Sequence, residues 1–113
     1  MRARNPRRND ATVQENRRAG GIWLRGLRLQ AGLSQRQLAE RVGAEYYTFI
    51  SQLENGRGRI PPERYEEWAR ALGVDASDFV FNLMRHYDPL TFGLLFGSDR
   101  ERARDADRFE IIA

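Results

Sequence analysis

Apolar residues recur at helical spacing along most of this chain. Within successive segments they fall at combinations of i, i+3, i+4 and i+7, which is the period of one face of an α-helix. On this basis the segments predicted to be helices are residues 22–31, 34–42, 46–54, 62–72 and 75–87. A further segment, residues 90–97, is very apolar and is predicted to be a short helix that folds back onto the core. The pattern therefore predicts an all-α protein.

Residues 33–56 are the stretch around which the rest is organised, and they read as two short helices joined by a turn. Ser34 is a favourable N-cap, and Gln37 three residues later completes a capping box, so a helix is predicted to begin at about Ser34. Gly43 can adopt the positive φ that ends this helix. The second helix is predicted over residues 46–54.

This second helix divides into an inward apolar face and an outward polar face. The inward positions, at i, i+3, i+4 and i+7, are Tyr46, Phe49, Ile50 and Leu53. The outward positions carry hydrogen-bonding groups without formal charge, and they are Tyr47, Thr48, Ser51 and Gln52. A solvated helix surface usually mixes charged residues, so this uncharged row is unusual. On a helix that enters the major groove, such groups can read base edges.

Composition limits the function classes. At 113 residues, 41% of them hydrophobic, the chain suits one small globular domain. No apolar run is long enough to span a bilayer, and no apolar stretch follows the N-terminal arginines, so we expect neither a membrane span nor a signal peptide. The absence of cysteine excludes disulfides and cysteine-based zinc sites and is compatible with a cytoplasmic protein.

Charge is unevenly distributed, although the net charge is only +3. Residues 1–19 have six arginines against two acids, and residues 20–61 have six against three, which gives +4 and +3. Residues 62–113 have seven arginines against eleven acids, which gives −4. All 19 cationic residues are arginine, which either codon usage or a preference for phosphate explains. The positive charge lies with the helical pair and its leading segment, which favours a polyanionic partner.

The ends of the chain are predicted to lie outside the folded domain. Residues 1–19 have almost nothing to bury, so we expect a disordered basic arm, with Gly20 and Gly21 as the hinge into a domain over residues 20–97. The arm is either a solubilising tail or a segment that reaches DNA through its first four arginines, Arg2, Arg4, Arg7 and Arg8. Residues 98–113 are predicted to be a solvated charged tail.

The C-terminal part of the domain has more apolar surface than one small core readily covers. Part of it is therefore predicted to be the interface of a symmetric homodimer. The residues assigned to this interface are Phe79, Phe81, Met84, Leu90, Phe92, Leu94, Leu95 and Phe96.

Catalytic chemistry is not indicated. His86 is the only histidine, and no partner for a triad or a metal site converges on it in the sequence, so we expect a surface or interface histidine. The glycines at 56 and 58 lack the preceding strand and the spacing of a phosphate-cradling loop. We expect no enzyme activity, no metal and no cofactor.

Several short motifs at nearly regular spacing resemble the Xre-type helix-turn-helix domain of lambda repressor and Cro-like regulators. The matching residues are Leu33-Ser34-Gln35, Leu38-Ala39, Gly43, Ile50-Ser51, Leu53-Glu54-Asn55-Gly56 and Ala71-Leu72-Gly73-Val74. The resemblance covers about residues 22–79. It implies a compact bundle of about five helices with a helix-turn-helix, here followed by a C-terminal helical extension. It also implies dimerisation and insertion of the second motif helix into the major groove.

The resemblance implies roles for residues beside the outward row. Gln35 matches a position that holds a phosphate and braces the recognition helix, and Arg28 with Glu54 matches a pair that forms a salt bridge. The residues expected at the DNA backbone are Ser34, Gln35, Arg36, Asn55, Arg57 and Arg59. One departure is the distance from Gly43 to Glu54, which is one residue longer than usual. We place the extra residue in the turn, near residues 44–46.

The function predicted from these features is a sequence-specific regulator of transcription that binds double-stranded DNA as a dimer, in the cytoplasm and at the nucleoid. The base-reading residues are Tyr46, Tyr47, Thr48, Ser51 and Gln52. No arginine lies on the row, so contacted A·T pairs are expected. The alternatives are an antitoxin-like module that binds a protein partner and a single-stranded nucleic-acid binder in which Tyr46 and Tyr47 stack on bases.

Overall fold

The computed structural model describes residues 6–97, with side chains described for residues 11–97. This part of the chain is all-helical and contains no strand, as predicted. A 3₁₀ turn, Pro62–Arg64, leads directly into the fourth helix. The α-helices are α1 (Pro6–Gln30), α2 (Gln35–Arg41), α3 (Thr48–Glu54), α4 (Tyr65–Leu72), α5 (Ala76–Tyr87) and α6 (Pro89–Phe96). Within the described residues, no helix is both long and apolar enough to cross a membrane.

Side-chain caps set the starts of two helices, as the sequence predicts. At α2 the hydroxyl of Ser34 accepts a hydrogen bond from the Gln37 amide at 3.0 Å, and the Ser34 amide donates to the Gln37 side chain at 2.8 Å. At α5 the Asp75 carboxylate accepts from the amide of Asp78 at 3.0 Å. Each cap satisfies an amide that has no partner within its own helix. The predicted starts of α2 and α5 are thus confirmed.

The core lies where α1 crosses α3 and α5 and where α4 packs on α5 and α2. Its centre consists of apolar side chains with almost no exposed surface: Leu38, Val42, Ile50, Ile60, Phe79 and Leu83. The apolar face predicted for residues 62–72 is also buried, through Trp68, Ala69 and Leu72. Burying one large aliphatic or aromatic side chain stabilises the fold by about 1.5–3 kcal/mol. This core therefore fixes the orientation of α2 and α3 relative to each other.

The first helix differs from its prediction, because α1 begins at Pro6 rather than near residue 22. Residues 6–19, predicted to be disordered, are helical, while residues 1–5, which include Arg2 and Arg4, lie outside the described part. Gly20 and Gly21 are buried inside α1 and do not form a hinge. A Cβ on Gly21 would overlap the carbonyl oxygen of Glu54, so the glycine allows α1 to cross closely over the end of α3. Helix formation is cooperative, and the packed part of α1 can nucleate the polar turns that precede it.

The apolar C-terminal segment folds back onto the core, as predicted. This packing buries several residues that were assigned to a dimer interface. Phe79, Phe81 and Phe92 are buried within the single chain, so their assignment to an intermolecular surface is wrong. Phe96 packs beside them, with its ring centroid 5.1 Å from that of Phe81. Ring contacts between α5 and α6 bury these apolar side chains, whereas the sequence pattern predicted that a second subunit would bury them. Met84 and Phe96 are partly buried, and the residues left exposed are Leu90, Leu94 and Leu95.

Candidate nucleic-acid interface

The connection between α2 and α3 is the turn in which the extra residue is predicted to lie. It runs over residues 42–47 and includes Gly43 at a φ of +67°, a conformation that favours glycine. Two short-range hydrogen bonds form at the start of α3. The Phe49 amide donates to the Tyr46 carbonyl at 3.1 Å, and the Ile50 amide donates to the Tyr47 carbonyl at 3.0 Å. These i to i+3 bonds are of the 3₁₀ type. As a result α3 begins at Thr48, two residues after the predicted start.

The outward row of α3 is accessible over most of its length. Tyr47, Thr48 and Gln52 are exposed, and Ser51 is half-buried. On the opposite side Ile50 and Leu53 are buried and Phe49 is partly buried. The uncharged polar groups therefore stand together on one side of a short helix whose other side is fixed in the core.

Tyr46 does not take the inward position that helical spacing predicted. Its side chain is 68% exposed and lines a shallow pocket with Phe49 and Arg64. The spacing rule does not hold for it because Tyr46 precedes the first residue of α3. The prediction that Tyr46 contributes to the inward face is wrong, and its exposed ring lies next to the start of the outward row.

Arg36 adds a guanidinium beside this row, although it belongs to α2. Its Cζ lies 4.8 Å from the centroid of the Tyr47 ring, within the range of a cation–π interaction. Both side chains are exposed, so the outer face of the stack faces solvent. The sequence pattern could not predict this contact, because it depends on the packing of α2 against α3.

A buried network holds α1, α2 and α3 in register. Arg28 donates to Glu54 from Nε at 2.6 Å and from Nη2 at 3.0 Å, and its Nη1 donates to the Leu33 carbonyl at 2.8 Å. The Gln35 amide nitrogen donates to the same Glu54 carboxylate at 3.0 Å. The side chains of the ion pair are 8% and 6% exposed. Since the Glu54 carboxylate accepts from two helices, the end of α3 is fixed against both.

Most of the predicted backbone-contacting residues lie around this network. Gln35 and Asn55 line one cleft of about 380 Å³ between α1 and the end of α3. Arg57 is exposed just after α3, and Ser34 is exposed with its hydroxyl engaged in capping α2. These residues and the outward row thus occupy neighbouring parts of the α2–α3 unit.

Arg59 forms its contacts at the end of α5. Its Nη1 and Nη2 donate to the Asp88 carboxylate at 3.3 and 2.9 Å, and its Cζ lies 4.9 Å from the Tyr87 ring centroid. Hydrogen bonding to Asp88 raises the pKa of Arg59 above its ordinary value. The structure therefore gives this residue an intramolecular acid as its partner, in contrast to the free phosphate ligand expected from the sequence. It joins the loop after α3 to the end of α5.

His86 is half-buried rather than on the open surface. Its ring centroid lies 5.8 Å from that of Trp23, and it packs against Gly20 of α1. Burial lowers the pKa of His86, and the charge of Arg85 lowers it further. In the described part of the chain, no group of His, Asp and Glu side chains is arranged to hold a metal ion.

Part of the chain matches a known protein family. A family model described as helix-turn-helix matches residues 24–79, which span the last two turns of α1 through the first turn of α5. No curated protein matches the chain. The matched range contains the outward row of α3, the buried Arg28–Glu54 pair and both amide side chains of the cleft.

Proposed function

Because residues 24–79 of the chain belong to the Xre/lambda repressor-like helix-turn-helix family, we propose that it is a sequence-specific regulator of transcription that binds double-stranded DNA as a dimer. The family is one of DNA-binding regulators that are typically not enzymes. A regulator of this kind would act in the cytoplasm, at the nucleoid.

The observation that carries this proposal is the uncharged outward row of α3 beside Gln35 and Asn55. Amide and arginine contacts to phosphate would set the register on the duplex, and the row would read base edges. The Arg28–Glu54–Gln35 network favours this division, because it fixes the recognition helix relative to the side chains that would contact the backbone. Preorganised contacts of this kind lower the ordering cost of binding.

Each residue of the row suits a particular base. Gln52 can bond adenine through two hydrogen bonds, and Thr48 and Ser51 can bond to bases, with the Thr48 methyl also able to contact the thymine methyl. Tyr47 can use its hydroxyl or its ring. Arg36 was expected at the backbone, but its position over Tyr47 also suits a bidentate contact with guanine, the commonest specific contact of arginine. We therefore propose a half-site with contacted A·T pairs and one guanine near the start of α3.

Selection of bound duplexes from a random pool, at about physiological salt, tests the whole proposal. We expect enrichment of two inverted half-sites whose centres are about 34 Å apart, one turn of DNA. A variant with alanine at Thr48, Ser51 and Gln52 should keep weak, salt-dependent binding but lose the enrichment, because only the base contacts are removed. Arg70→Gln, at an exposed position on α4, is the matched surface control. No enrichment by the unaltered chain, or tighter binding to single strands, would contradict the proposal.

The proposed dimer would use the residues of α6 that the single chain leaves exposed. Leu90, Leu94 and Leu95 are 78%, 81% and 63% exposed, so three large apolar side chains of one short helix face solvent together. Sedimentation should give the mass of two chains, and Leu94→Glu should shift it toward one. Val13→Glu, at a partly exposed apolar position on α1, should leave the mass unchanged. A monomeric mass together with protection of a single half-site would contradict dimerisation.

The same exposed leucines favour one alternative, an antitoxin-like module that binds a different protein through α6. Fold alone does not separate the two functions, because each depends on what particular surfaces bind. Purification of the native protein in a stable complex with a non-identical chain, which Leu94→Glu disrupts, would support the alternative. Retention of sequence-selective DNA binding by Leu94→Glu would show that the two surfaces act separately.

A further inference from the structure

The cleft between α1 and the end of α3 has two arginines that lie on α1, outside the α2–α3 unit. Arg18 and Arg25 line it together with Gln35 and Asn55. With Ile22, which is 65% exposed, they fall at i, i+4 and i+7 on α1 and so share one face of the helix. The two arginines are separated along the helix axis by about 10 Å. One side of α1 therefore faces the same cleft as the two amide side chains.

A close crossing of α1 and the loop after α3 brings Arg18 to this position. Gly56 has a φ of +81°, and a Cβ on it would lie 2.8 Å from the backbone nitrogen and Cα of Arg18. Any other residue at position 56 would push α1 away from the end of α3. Because Gly56 directly follows Asn55, the same contact places Arg18 beside the Asn55 end of the cleft.

The charge of the cleft comes from these two residues. The positive charge of Arg28 is matched by Glu54 within the buried pair. Neither Arg18 nor Arg25 has an ion pair with an acid among the side chains described for residues 11–97. Among the described side chains, the cleft therefore combines two guanidinium groups that have no acidic partner with the amide side chains of Gln35 and Asn55, and the Gln35 nitrogen also donates to Glu54. Such a set is suitable for an anion with several oxygen acceptors.

We propose that Arg18 and Arg25 bind phosphate groups of the DNA backbone, so that α1 is a second backbone-binding element alongside the motif. This inference rests on the proposed DNA-binding function. Gln35 and Asn55 would hold the strand that enters the cleft, Arg18 and Arg25 would extend its contacts along α1, and Ile22 would lie against the sugars between them. Contacts of this type add affinity without adding sequence preference.

Duplex binding measured over a series of salt concentrations tests the proposal. Replacing both Arg18 and Arg25 with glutamine should lower the slope of log affinity against log salt by about 1.8 for each bound chain, and so by about 3.6 for the proposed dimer, since each lost phosphate contact removes about 0.9. The affinity should fall by the same factor on the selected site and on an unrelated duplex. Replacing both with lysine should keep most of the slope, because a point charge still releases a counterion.

Arg70→Gln on α4 is the control for loss of one positive charge away from the cleft. If the unaltered chain binds duplex DNA and the double glutamine variant keeps the same slope, the inference fails while the proposed function stands. If the double variant loses preference for its site more than overall affinity, these arginines act on specificity and the inference is also wrong. If the unaltered chain binds no duplex, the proposed function and the inference both fail.

Discussion

Arg28 and Glu54 form an almost wholly buried ion pair, although 26 residues separate them in the sequence. The pair joins α1 to the last turn of α3, and Gln35 of α2 donates to the same carboxylate. A desolvated pair of charges contributes little net stability, but loss of one partner leaves the other unpaired in a medium of low polarity. The pair thus makes the position of α3 dependent on α1.

Removal of one partner should destabilise the fold strongly. Arg28→Ala or Glu54→Ala should each lower the free energy of unfolding by about 3–5 kcal/mol, because a buried charge remains without its partner. Urea denaturation followed by circular dichroism measures this change. Glu66→Ala, which removes an exposed carboxylate from α4, should change the free energy by less than about 0.5 kcal/mol. Similar small effects for all three variants would show that the pair is solvated.

Two glycines of α1 should respond in opposite ways to the same substitution. Gly21→Ala should destabilise the fold by about 1–3 kcal/mol or more, because the new Cβ meets the backbone of Glu54 and one of the helices must move. Gly26→Ala meets nothing within 4 Å and should stabilise the fold by about 0.5–1 kcal/mol through its higher helix propensity. Thermal unfolding of both variants tests the close crossing directly. Equal effects would mean that α1 does not pack closely on α3.

Gln52 should determine preference at one base pair. Gln52→Ala should weaken binding to the selected site by about 1–3 kcal/mol and relax the preference at a single position, because its two hydrogen bonds to adenine are lost. Binding of the variant to duplexes that carry each base pair in turn at that position measures both effects. An equal loss of affinity on every sequence would instead indicate a backbone contact.

Arg36 should distinguish guanine recognition from phosphate binding. Arg36→Lys keeps the charge but removes the planar fork, so it should lose the preference for guanine while keeping the salt dependence of binding. Tyr47→Phe should keep that preference, because the ring beneath the guanidinium remains, and Tyr47→Ala should weaken it. Competition between duplexes that carry guanine or adenine at the base pair proposed to contact Arg36 measures the preference for guanine. If Arg36→Lys keeps the preference for guanine, Arg36 does not read this base and is instead a contact to the DNA backbone.

His86 should make stability depend on pH in a limited range. In the folded protein the pKa of His86 lies below its ordinary value of 6.5, because its ring is buried against Trp23. Between that lowered pKa and about 6.5 the unfolded chain binds more protons than the folded chain. The free energy of unfolding should therefore decrease as the pH falls through this range. Below the pKa of His86 in the folded protein, the contribution of His86 to the free energy of unfolding should no longer change with pH.

Because His86 is the only histidine, its imidazole resonances report the folded pKa directly by NMR titration. Urea denaturation at a pH above and a pH below 6.5 gives the matching change in stability. His86→Gln should remove this dependence, since the carboxylates titrate lower, at about pH 4. A folded pKa at or above 6.5 would show that the ring is solvated.

Local sequence determined the helix content of this protein and most of the helix starts and ends. The capping box at Ser34, the aspartate at Asp75 and the apolar spacing of residues 62–87 act within one or two turns, so the chain pattern alone predicts them. The uncharged face of α3 was predictable for the same reason. These features depend on short-range hydrogen bonds and on helical periodicity.

Tertiary packing decided the features that join distant segments. Gly20 and Gly21 resemble a hinge locally but are helical, because α1 packs against α3 and α5 along that face. Arg59 resembles a free basic residue until the end of α5 brings Asp88 to it. The contact of Arg36 with Tyr47 likewise requires helices from different parts of the chain. The same holds for the cleft that Arg18 and Arg25 line. Periodicity fixes which side of a helix a residue occupies, but only the packing of whole helices determines what that side faces.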